Sequence, residues 1–286
     1  MKRKKDAALE YMLNLGIFPA KSPSGALEQL KTVMDPETLK KVLTAEETEG
    51  DPQAFYRVKN RTLETALTVS GAFGGDVLRK ACGLIDASPE VFCPAAGAEK
   101  VLADATENSS FRVVEAGCDC GIVSCFIAQR FPEAEVTGAD LCAEGISAAG
   151  KLAEKLGLSN VRFVNRALEL LEAGTFDVVF SLRTMHENCD VEEPEDAAED
   201  KLWEYEKACF EALGPFAAGI AALLRPGGRF LSIERRGGSG SVDALGHAFE
   251  RALESAGLTG LPEKRRQLVC SEVGQESILE VRVFEK

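Results

Sequence analysis

Apolar and polar positions follow two different patterns along the chain, before and after about residue 105. The first part carries helix-start signals and little strand character. From Phe111 onward, short apolar runs of strand length alternate with longer helical segments. This alternation is typical of a mostly parallel sheet with helices on both faces. The sequence therefore predicts a helical N-terminal region over 1–105 and an α/β domain over 106–286.

Helix starts in the first part are clearest at two aspartate-proline pairs, Asp35-Pro36 and Asp51-Pro52. In each pair an N-cap residue precedes a proline, which is well tolerated at the first helical position. We expect helices at 7–15, 37–43, 53–67 and 77–84, with a break at 71–75.

The second part contains seven predicted strands. Five of them, separated by helices, lie at 111–116, 135–140, 161–165, 176–181 and 228–234. Two late strands, at 266–272 and 277–285, are separated by a short turn containing Gly274 and are predicted to pair in antiparallel fashion.

The most informative motif is Glu115-Ala-Gly117-Cys-Asp119-Cys-Gly121, which directly follows the first apolar run. An acidic residue ends the strand, and glycines follow two and six positions later. Because glycine lacks a Cβ and tolerates positive φ, this spacing indicates a turn that passes close to a ligand before a helix begins. The second strand ends at Asp140, a carboxylate suited to holding the hydroxyls of a ribose.

Together with the segments 176–181 and 224–234, this series resembles the class I S-adenosylmethionine-dependent methyltransferases over about 111–286. The resemblance implies a doubly wound, mostly parallel seven-stranded sheet with an antiparallel C-terminal pair, and S-adenosyl-L-methionine as the cofactor. A dinucleotide-binding fold is the competing interpretation. Its G-x-G-x-x-G spacing would require glycines at 117, 119 and 122, where the chain has Gly117, Asp119 and Ile122.

The resemblance also implies which residues hold the cofactor. Glu115 resembles the family's acidic residue near the methionine amino group, and Asp140 resembles its ribose-binding carboxylate. Backbone N–H groups around Gly117 would face the methionine end, and backbone groups of Ala167 and Leu168 would read the adenine edge. The full expected set is Glu115, Ala116, Gly117, Cys118, Asp119, Gly121, Asp140, Leu141, Arg166, Ala167, Leu168 and Ser181.

Two of these positions depart from the family pattern. Asp119 stands where most members have a second glycine, but aspartate enters the left-handed backbone region at tolerable cost, so the turn can be retained. Ala167 stands where the family often has an acidic residue that binds the adenine amino group. This replacement implies a weaker adenine contact.

The loop at 181–190 is loosely similar to the general-base segment of small-molecule O-methyltransferases. His186 occupies the position of the base, Glu187 replaces the usual aspartate, and no tryptophan follows. Histidine suits the deprotonation of a hydroxyl near neutral pH. Two interpretations stay open for His186: a general base, or a residue that caps the strand or contacts substrate without transferring a proton.

Composition limits the partners and the location. The formal net charge of −13 argues against a nucleic-acid-binding protein, because such proteins neutralise phosphates with basic patches. No apolar stretch approaches the roughly 18 residues needed to cross a bilayer, and the N-terminus lacks the apolar core of a signal peptide. We therefore expect no membrane partner and a cytoplasmic protein. The nine cysteines lack Cys-x-x-Cys spacing, so we expect reduced thiols and no metal.

The combined expectation is a methyltransferase that acts on a small molecule, possessing an N-terminal region that forms part of the substrate chamber or a homodimer contact. One alternative is a protein or RNA methyltransferase. The net negative charge of the chain argues against an RNA substrate. The other is a non-catalytic protein of the same fold that binds an adenosyl ligand or a protein partner. Asp119 and Ala167 are the residues that keep this second alternative open.

Overall fold

The computed structural model describes residues 6–43, 54–89, 110–194, 198–237 and 239–286. In this part of the chain the helices before the first strand are α1 (Ala7–Leu15), α2 (Pro23–Lys31), α3 (Pro36–Leu43), α4 (Ala54–Lys59) and α5 (Leu63–Ala87). Strands and helices then follow as β1 (Phe111–Ala116), α6 (Ile122–Arg130), β2 (Ala134–Asp140), α7 (Ala143–Leu156), β3 (Val161–Asn165), β4 (Phe176–Leu182), α8 (Glu199–Leu223), β5 (Leu224–Arg236), α9 (Gly240–Ser255), β6 (Thr259–Gly260), β7 (Arg266–Glu272) and β8 (Gln275–Glu285).

The strands form an eight-stranded sheet in the order β3-β2-β1-β4-β5-β8-β6, and β7 pairs with β8 beside this path. The pairs β2–β3, β1–β4 and β4–β5 are parallel, whereas β8 is antiparallel to β5. The predicted α/β class, with its mostly parallel sheet and antiparallel C-terminal strands, is confirmed. The predicted count of seven strands is wrong by one, because β6 has only two residues and leaves no apolar pattern.

Capping side chains explain where the N-terminal helices begin. Asp35 Oδ1 accepts the backbone N–H of Thr38 at 2.9 Å, so Asp35 caps α3 as predicted. Thr62 Oγ1 accepts the backbone N–H of Thr65 at 3.1 Å and thereby starts α5, which divides the helix predicted at 53–67 into two. The pair at 51–52 and the boundary predicted at 105 lie outside the described residues.

The break predicted at 71–75 is wrong, because α5 continues through these glycines without interruption. A Cβ at Gly71 would lie 3.0 Å from the backbone nitrogen of Phe18, and one at Gly75 would lie 3.0 Å from the Pro19 side chain. The two glycines are therefore explained by close packing of Phe18 and Pro19 against α5, and not by a turn.

The chain divides into two compact units. The first comprises Met1–Pro89, Gly117–Arg166 and Cys270–Glu276. It contains the N-terminal helices together with α6, α7 and the β2–β3 pair. The hydroxyl of Tyr11 in α1 donates a 2.7 Å hydrogen bond to the carbonyl of Ile122, at the start of α6. The N-terminal helices and the helix that follows the glycine turn therefore belong to one packed unit.

The second unit comprises Glu90–Ala116, Ala167–Val269 and Ser277–Lys286. Its core contains the fully buried rings of Phe176, Phe180, Phe230 and Phe249. Ala116 of β1 is in register with Ser181 of β4, which is in register with Ser232 of β5. The carboxyl ends of three parallel strands therefore lie side by side in this unit. No helix among the described residues is long and apolar enough to cross a membrane.

Candidate functional site

The turn after β1 has the backbone that its sequence predicts. Three of its residues have positive φ: Gly117 at 70°, Asp119 at 47° and Gly121 at 74°. The backbone N–H groups of Gly117 and Cys118 both donate to the carbonyl of Ala139 in β2, at 2.9 and 3.1 Å. The expectation that aspartate at 119 enters the left-handed region is confirmed, and the chain passes directly from this turn into α6.

Close packing explains the last glycine of the turn. A Cβ at Gly121 would lie 2.7 Å from the ring of Phe163 and 2.7 Å from the Cβ of Ala149. Gly138 of β2 meets the same ring, because a Cβ there would lie 2.6 Å from it. The Phe163 ring of β3 therefore fills the space that these two glycines leave open.

The Asp119 side chain has partners from the N-terminal helical region. Its carboxylate forms an ion pair with the Lys59 ammonium and accepts a 2.7 Å hydrogen bond from Asn60 Nδ2. Burial alone would raise the pKa of Asp119, but the charge of Lys59 and these hydrogen bonds hold that pKa below its usual value. The carboxylate at 119 is therefore ionised and neutralised by a lysine from the end of α4.

Asp140 closes the turn from the other side. Its carboxylate accepts the backbone N–H of Asp119 at 2.7 Å and the backbone N–H of Cys142 at 2.8 Å. Asn165, at the end of β3, donates from its side chain to the Asp140 carbonyl at 3.0 Å. Burial raises the pKa of Asp140, although the two backbone N–H groups act in the opposite direction. Each carboxylate oxygen has further lone pairs that can accept from ribose hydroxyls.

The predicted site residues Cys118, Leu141 and Arg166, and Cys120 beside them, differ in exposure. Cys118 and Cys120 are buried, and burial raises the pKa of Cys120 to about 12, so it stays a neutral thiol. Leu141 exposes 63% of its surface, and Arg166 is exposed beyond the end of β3. Cys118 and Cys120 are thus fixed parts of the turn, whereas Leu141 and Arg166 present their side chains to solvent.

The predicted residues at the ends of β1 and β4 lie in the second unit. Glu115 is buried, and its neighbour Ala116 is in register with Ser181. The Ser181 hydroxyl donates to the Ser232 hydroxyl at 3.4 Å, and the Ser232 hydroxyl donates to Glu234 Oε1 at 3.3 Å. A buried chain of two hydroxyls therefore ends on a buried carboxylate at the carboxyl end of β5.

Ala167 and Leu168 lie at the start of a short 3₁₀ helix. Ala167 has an extended backbone, with φ −68° and ψ 153°, and caps the turn Leu168–Leu170. Both residues are half-buried. The carbonyl of Ala167 accepts the backbone N–H of Leu170 at 3.2 Å.

The loop after β4 is held at its backbone. Arg183 has a positive φ of 59°, and its N–H donates to the carbonyl of Ile233 at 2.9 Å. The backbone N–H groups of Thr184 and Met185 both donate to Glu234 Oε1, at 3.2 and 3.3 Å. These contacts lead directly into the 3₁₀ turn His186–Asn188.

His186 begins this turn with about half of its side chain exposed, 55%. Its Nε2 lies 3.9 Å from Glu187 Oε1, which is too far for a hydrogen bond. Partial burial lowers the pKa of His186, and the guanidinium groups of Arg183 and Arg235 lower it further. The imidazole is therefore neutral at pH 7 and has a free-base form able to accept a proton.

Sequence reasoning missed three residues of these clusters: Lys59, Asn60 and Glu234. Lys59 and Asn60 lie about 60 residues from Asp119 in the chain, so no local pattern relates them to the turn. The signal for Glu234 was present, since it is an acidic residue that ends an apolar strand, as Glu115 and Asp140 do.

Comparison with known proteins identifies the domain. Residues 113–200 match the sequence profile of the family described as "Methyltransferase domain". This match spans the glycine turn, Asp140 and the loop that carries His186. Among curated proteins, none matches the chain.

Several solved structures are similar in fold. A SAM-dependent methyltransferase from Aquifex aeolicus is 19% identical, with a TM-score of 0.43, over 71% of this chain and 97% of that one. Magnesium protoporphyrin IX methyltransferase from Synechocystis, with bound SAM, is 20% identical, with a TM-score of 0.46, over 73% and 82%. The N-methyltransferase NodS from Bradyrhizobium japonicum, in complex with S-adenosyl-L-homocysteine, is 12% identical, with a TM-score of 0.45, over 87% and 96%.

The strand order and the profile match point to the same family. The sheet places an antiparallel β8 beside β5, which is not expected of a dinucleotide-binding fold. The matched residues contain the turn and the carboxylate expected to hold an adenosyl cofactor. The chain contains a methyltransferase domain over residues 113–200, with the strand order of the class I fold and S-adenosyl-L-methionine as its cofactor.

Proposed function

We propose that this methyltransferase transfers a methyl group to a hydroxyl of a small molecule, with His186 as the general base. The observation that carries the proposal is His186 itself. Its imidazole is half-exposed on the loop after β4, is uncharged at pH 7, and follows two residues whose backbone is fixed by Glu234. These are the properties that a base needs to take a proton from an acceptor near neutral pH.

The cofactor contributes a methyl group bound to a positively charged sulfur. Asp140 suits its ribose hydroxyls. The N–H groups of Gly117, Cys118, Asp119 and Gly121 already donate to acceptors within the protein, so the expectation that N–H groups around Gly117 face the methionine end is not supported by these contacts. One observation supports an adenosyl ligand here. Asn60 Oδ1 is buried and has no hydrogen-bond partner among the described residues, beside the carboxylate of Asp119. A polar ligand with O–H or N–H groups would satisfy such an acceptor.

Transfer requires alignment more than dedicated catalytic groups. The acceptor oxygen attacks the methyl carbon in line, the carbon–sulfur bond breaks, and the proton of the hydroxyl passes to His186 Nε2 or Nδ1. The products are the methylated acceptor and S-adenosylhomocysteine. The remaining contribution of the protein is to exclude water and hold the two reactants in position.

The remaining parts of the proposal concern partners and location. The charge of −13 supports a small-molecule acceptor over a nucleic acid. We assign the helical region 1–105 to a cap over the substrate or to a homodimer contact, with residues 106–286 as the methyltransferase domain. Tyr11 supports the cap, since it bonds to the first residue of the helix that follows the cofactor turn. The proposed location is the cytoplasm.

The test is an acceptor screen with tritiated S-adenosylmethionine. Panels of phenols, carboxylic acids and amines are incubated with the wild-type protein, and small products are separated from protein and RNA. We expect label in a phenolic product and a loss of about 100-fold in turnover for His186→Ala. His247→Ala, which alters the exposed second histidine, is the matched control. Label only in macromolecules, or equal turnover of the two variants, would refute the proposal.

A further inference from the structure

A buried carboxylate supports the loop that carries His186. Glu234 is 1% exposed, and its Oε1 accepts three hydrogen bonds, from the Thr184 N–H, the Met185 N–H and the Ser232 hydroxyl. Two of these donors are consecutive backbone groups of the loop. Because a carboxylate is the strongest acceptor available for N–H groups, its charge governs how firmly this backbone is held.

The cation that acts on this carboxylate is shared with other acidic residues. Arg282 of β8 is 5% exposed and acts on Glu234, but it also forms ion pairs with Glu280 at 2.5 Å and with Glu250 at 2.8 Å. Its charge is therefore shared with two other carboxylates. Other ionisable groups on the segments around Glu234 include Arg183, His186 and Glu187 of the loop, Arg235 and Arg236 of β5, and the buried Glu280 of β8, which is in register with Glu234.

The loop after β4 also contains two locally unfavourable features, at Arg183 and at Thr184. Arg183 holds a left-handed backbone, which is unfavourable for a residue other than glycine. Thr184 Oγ1 is buried with no hydrogen-bond partner among the described residues. Both features cost free energy, and the hydrogen bonds to Glu234 offset that cost at the two residues that follow Arg183.

We propose that Glu234 is a positioning residue whose ionised carboxylate fixes the backbone of Thr184 and Met185 and so sets the position of His186. This inference rests on the proposed role of His186. It adds a second group to the pH dependence of the reaction. When Glu234 is protonated, the two N–H groups lose a charged acceptor and the loop loosens.

Burial places the protonation of Glu234 near neutral pH. It raises the pKa of Glu234 to about 7, against the effect of the Thr184 and Met185 N–H groups, Arg282 and Ser232. The carboxylate therefore ionises as the pH rises through about 7. The loop is expected to be held firmly above this pH and less firmly below it.

The composition of the chain allows a direct test by NMR. The sequence contains four methionines, so selective ¹⁵N-methionine labelling reports the Met185 amide together with those of Met12 and Met34. The same samples, with labelled histidine, give one imidazole signal each for His186 and His247. Spectra are recorded from pH 5.5 to 8.5 on the whole protein, for the wild type and for Glu234→Gln and His186→Gln.

The expected result is a Met185 amide shift with a midpoint near pH 7 in the wild type and in His186→Gln, and no such titration in Glu234→Gln. The His186 signal should move in Glu234→Gln, whereas those of Met12, Met34 and His247 should not. If Glu234→Gln does not fold, Ser232→Ala replaces it, and loss of this donor should move the midpoint to higher pH. An unchanged Met185 titration in the variant, or none in the wild type, would overturn the proposal.

One further measurement separates this inference from the function on which it rests. S-adenosylhomocysteine is titrated into the same samples, and its dissociation constant should be equal in the wild type and Glu234→Gln. If the wild type does not bind S-adenosylhomocysteine but its Met185 amide titrates as expected, the adenosyl cofactor is refuted and the role of Glu234 in holding the loop is retained. Normal binding with no Met185 titration would refute only the role of Glu234.

Discussion

The backbone N–H of Asp119 donates a 2.7 Å hydrogen bond to the carboxylate of Asp140. This bond joins the two acidic residues that most distinguish the cofactor segment, and it gives Asp140 a structural role beside its expected ribose contact. Asp119 in turn is held by Lys59 from the N-terminal helical region. The turn after β1 is thus supported both by β2 and by residues far before it in the sequence.

Substitution of Asp140 should affect both binding and stability. Asp140→Ala leaves the buried N–H groups of Asp119 and Cys142 without their acceptor, which should cost about 2 kcal/mol in unfolding free energy. The affinity for S-adenosylhomocysteine should fall by about 100-fold or more, since a charged acceptor for the ribose is lost. Calorimetric titration and urea unfolding measure the two effects. Glu154→Ala, on an exposed position of α7, is the control, and equal affinities would contradict the ribose assignment.

The Lys59–Asp119 ion pair offers a second test. Lys59→Met leaves a buried carboxylate without its cation and should lower the unfolding free energy by about 3 kcal/mol. Asp119→Gly takes this carboxylate from the buried Lys59 ammonium and should also be destabilising, although glycine tolerates the positive φ at this position.

The double variant completes this cycle. Lys59→Met combined with Asp119→Gly should recover most of the stability lost in Lys59→Met, because no unpaired charge remains. Urea unfolding of all four proteins gives the coupling free energy. Strictly additive effects would show that the pair is not formed in solution.

Gly121 and Gly150, two glycines of the first unit, should respond in opposite ways to substitution by alanine. Gly121→Ala should destabilise the protein by about 3 kcal/mol, because its Cβ meets Phe163 and the backbone has positive φ. Gly150→Ala, in the exposed middle of α7 with nothing within 4 Å of the new Cβ, should stabilise it by about 0.5–1 kcal/mol. Thermal unfolding measures both changes. A Gly121→Ala protein as stable as the wild type would show that the tight turn is absent.

Glu234 also predicts a dependence of stability on pH. The pKa of Glu234 is raised from 4.5 to about 7 in the folded protein, so the folded state binds this proton more tightly than the unfolded state. The resulting gain in unfolding free energy is complete below pH 4.5 and is lost as the pH rises to about 7. The wild type should lose up to about 1.4 kcal/mol per pH unit relative to Glu234→Gln between about pH 4.5 and 7, and the difference should be constant above that. Urea unfolding at each pH measures the difference between the two proteins, which cancels contributions from other groups such as His186. A wild type that became more stable relative to Glu234→Gln as the pH rose from 4.5 to 7 would contradict the assigned shift.

Local patterns account for much of the fold and for the core of the cofactor segment. The glycine spacing after β1 predicts a turn with positive φ, and the apolar runs predict seven of the strands within a few residues. Contacts between residues far apart in the chain leave no local pattern in the sequence. Gly71 and Gly75 predict a break in the helix, yet their actual cause is the approach of the chain at 18–19. For the same reason Lys59, which neutralises Asp119 across 60 residues, could not be found from the sequence.

Isothermal titration calorimetry of the purified protein with S-adenosylmethionine, S-adenosylhomocysteine and NAD tests the central claim most directly. The site predicts micromolar binding of the two adenosyl ligands at one site per chain and no heat from NAD. It also predicts that Asp140→Ala weakens the binding of both adenosyl ligands by about 100-fold or more. Binding of NAD alone, or no binding to a wild-type protein with a cooperative unfolding transition, would contradict the assignment of an adenosyl cofactor to this turn.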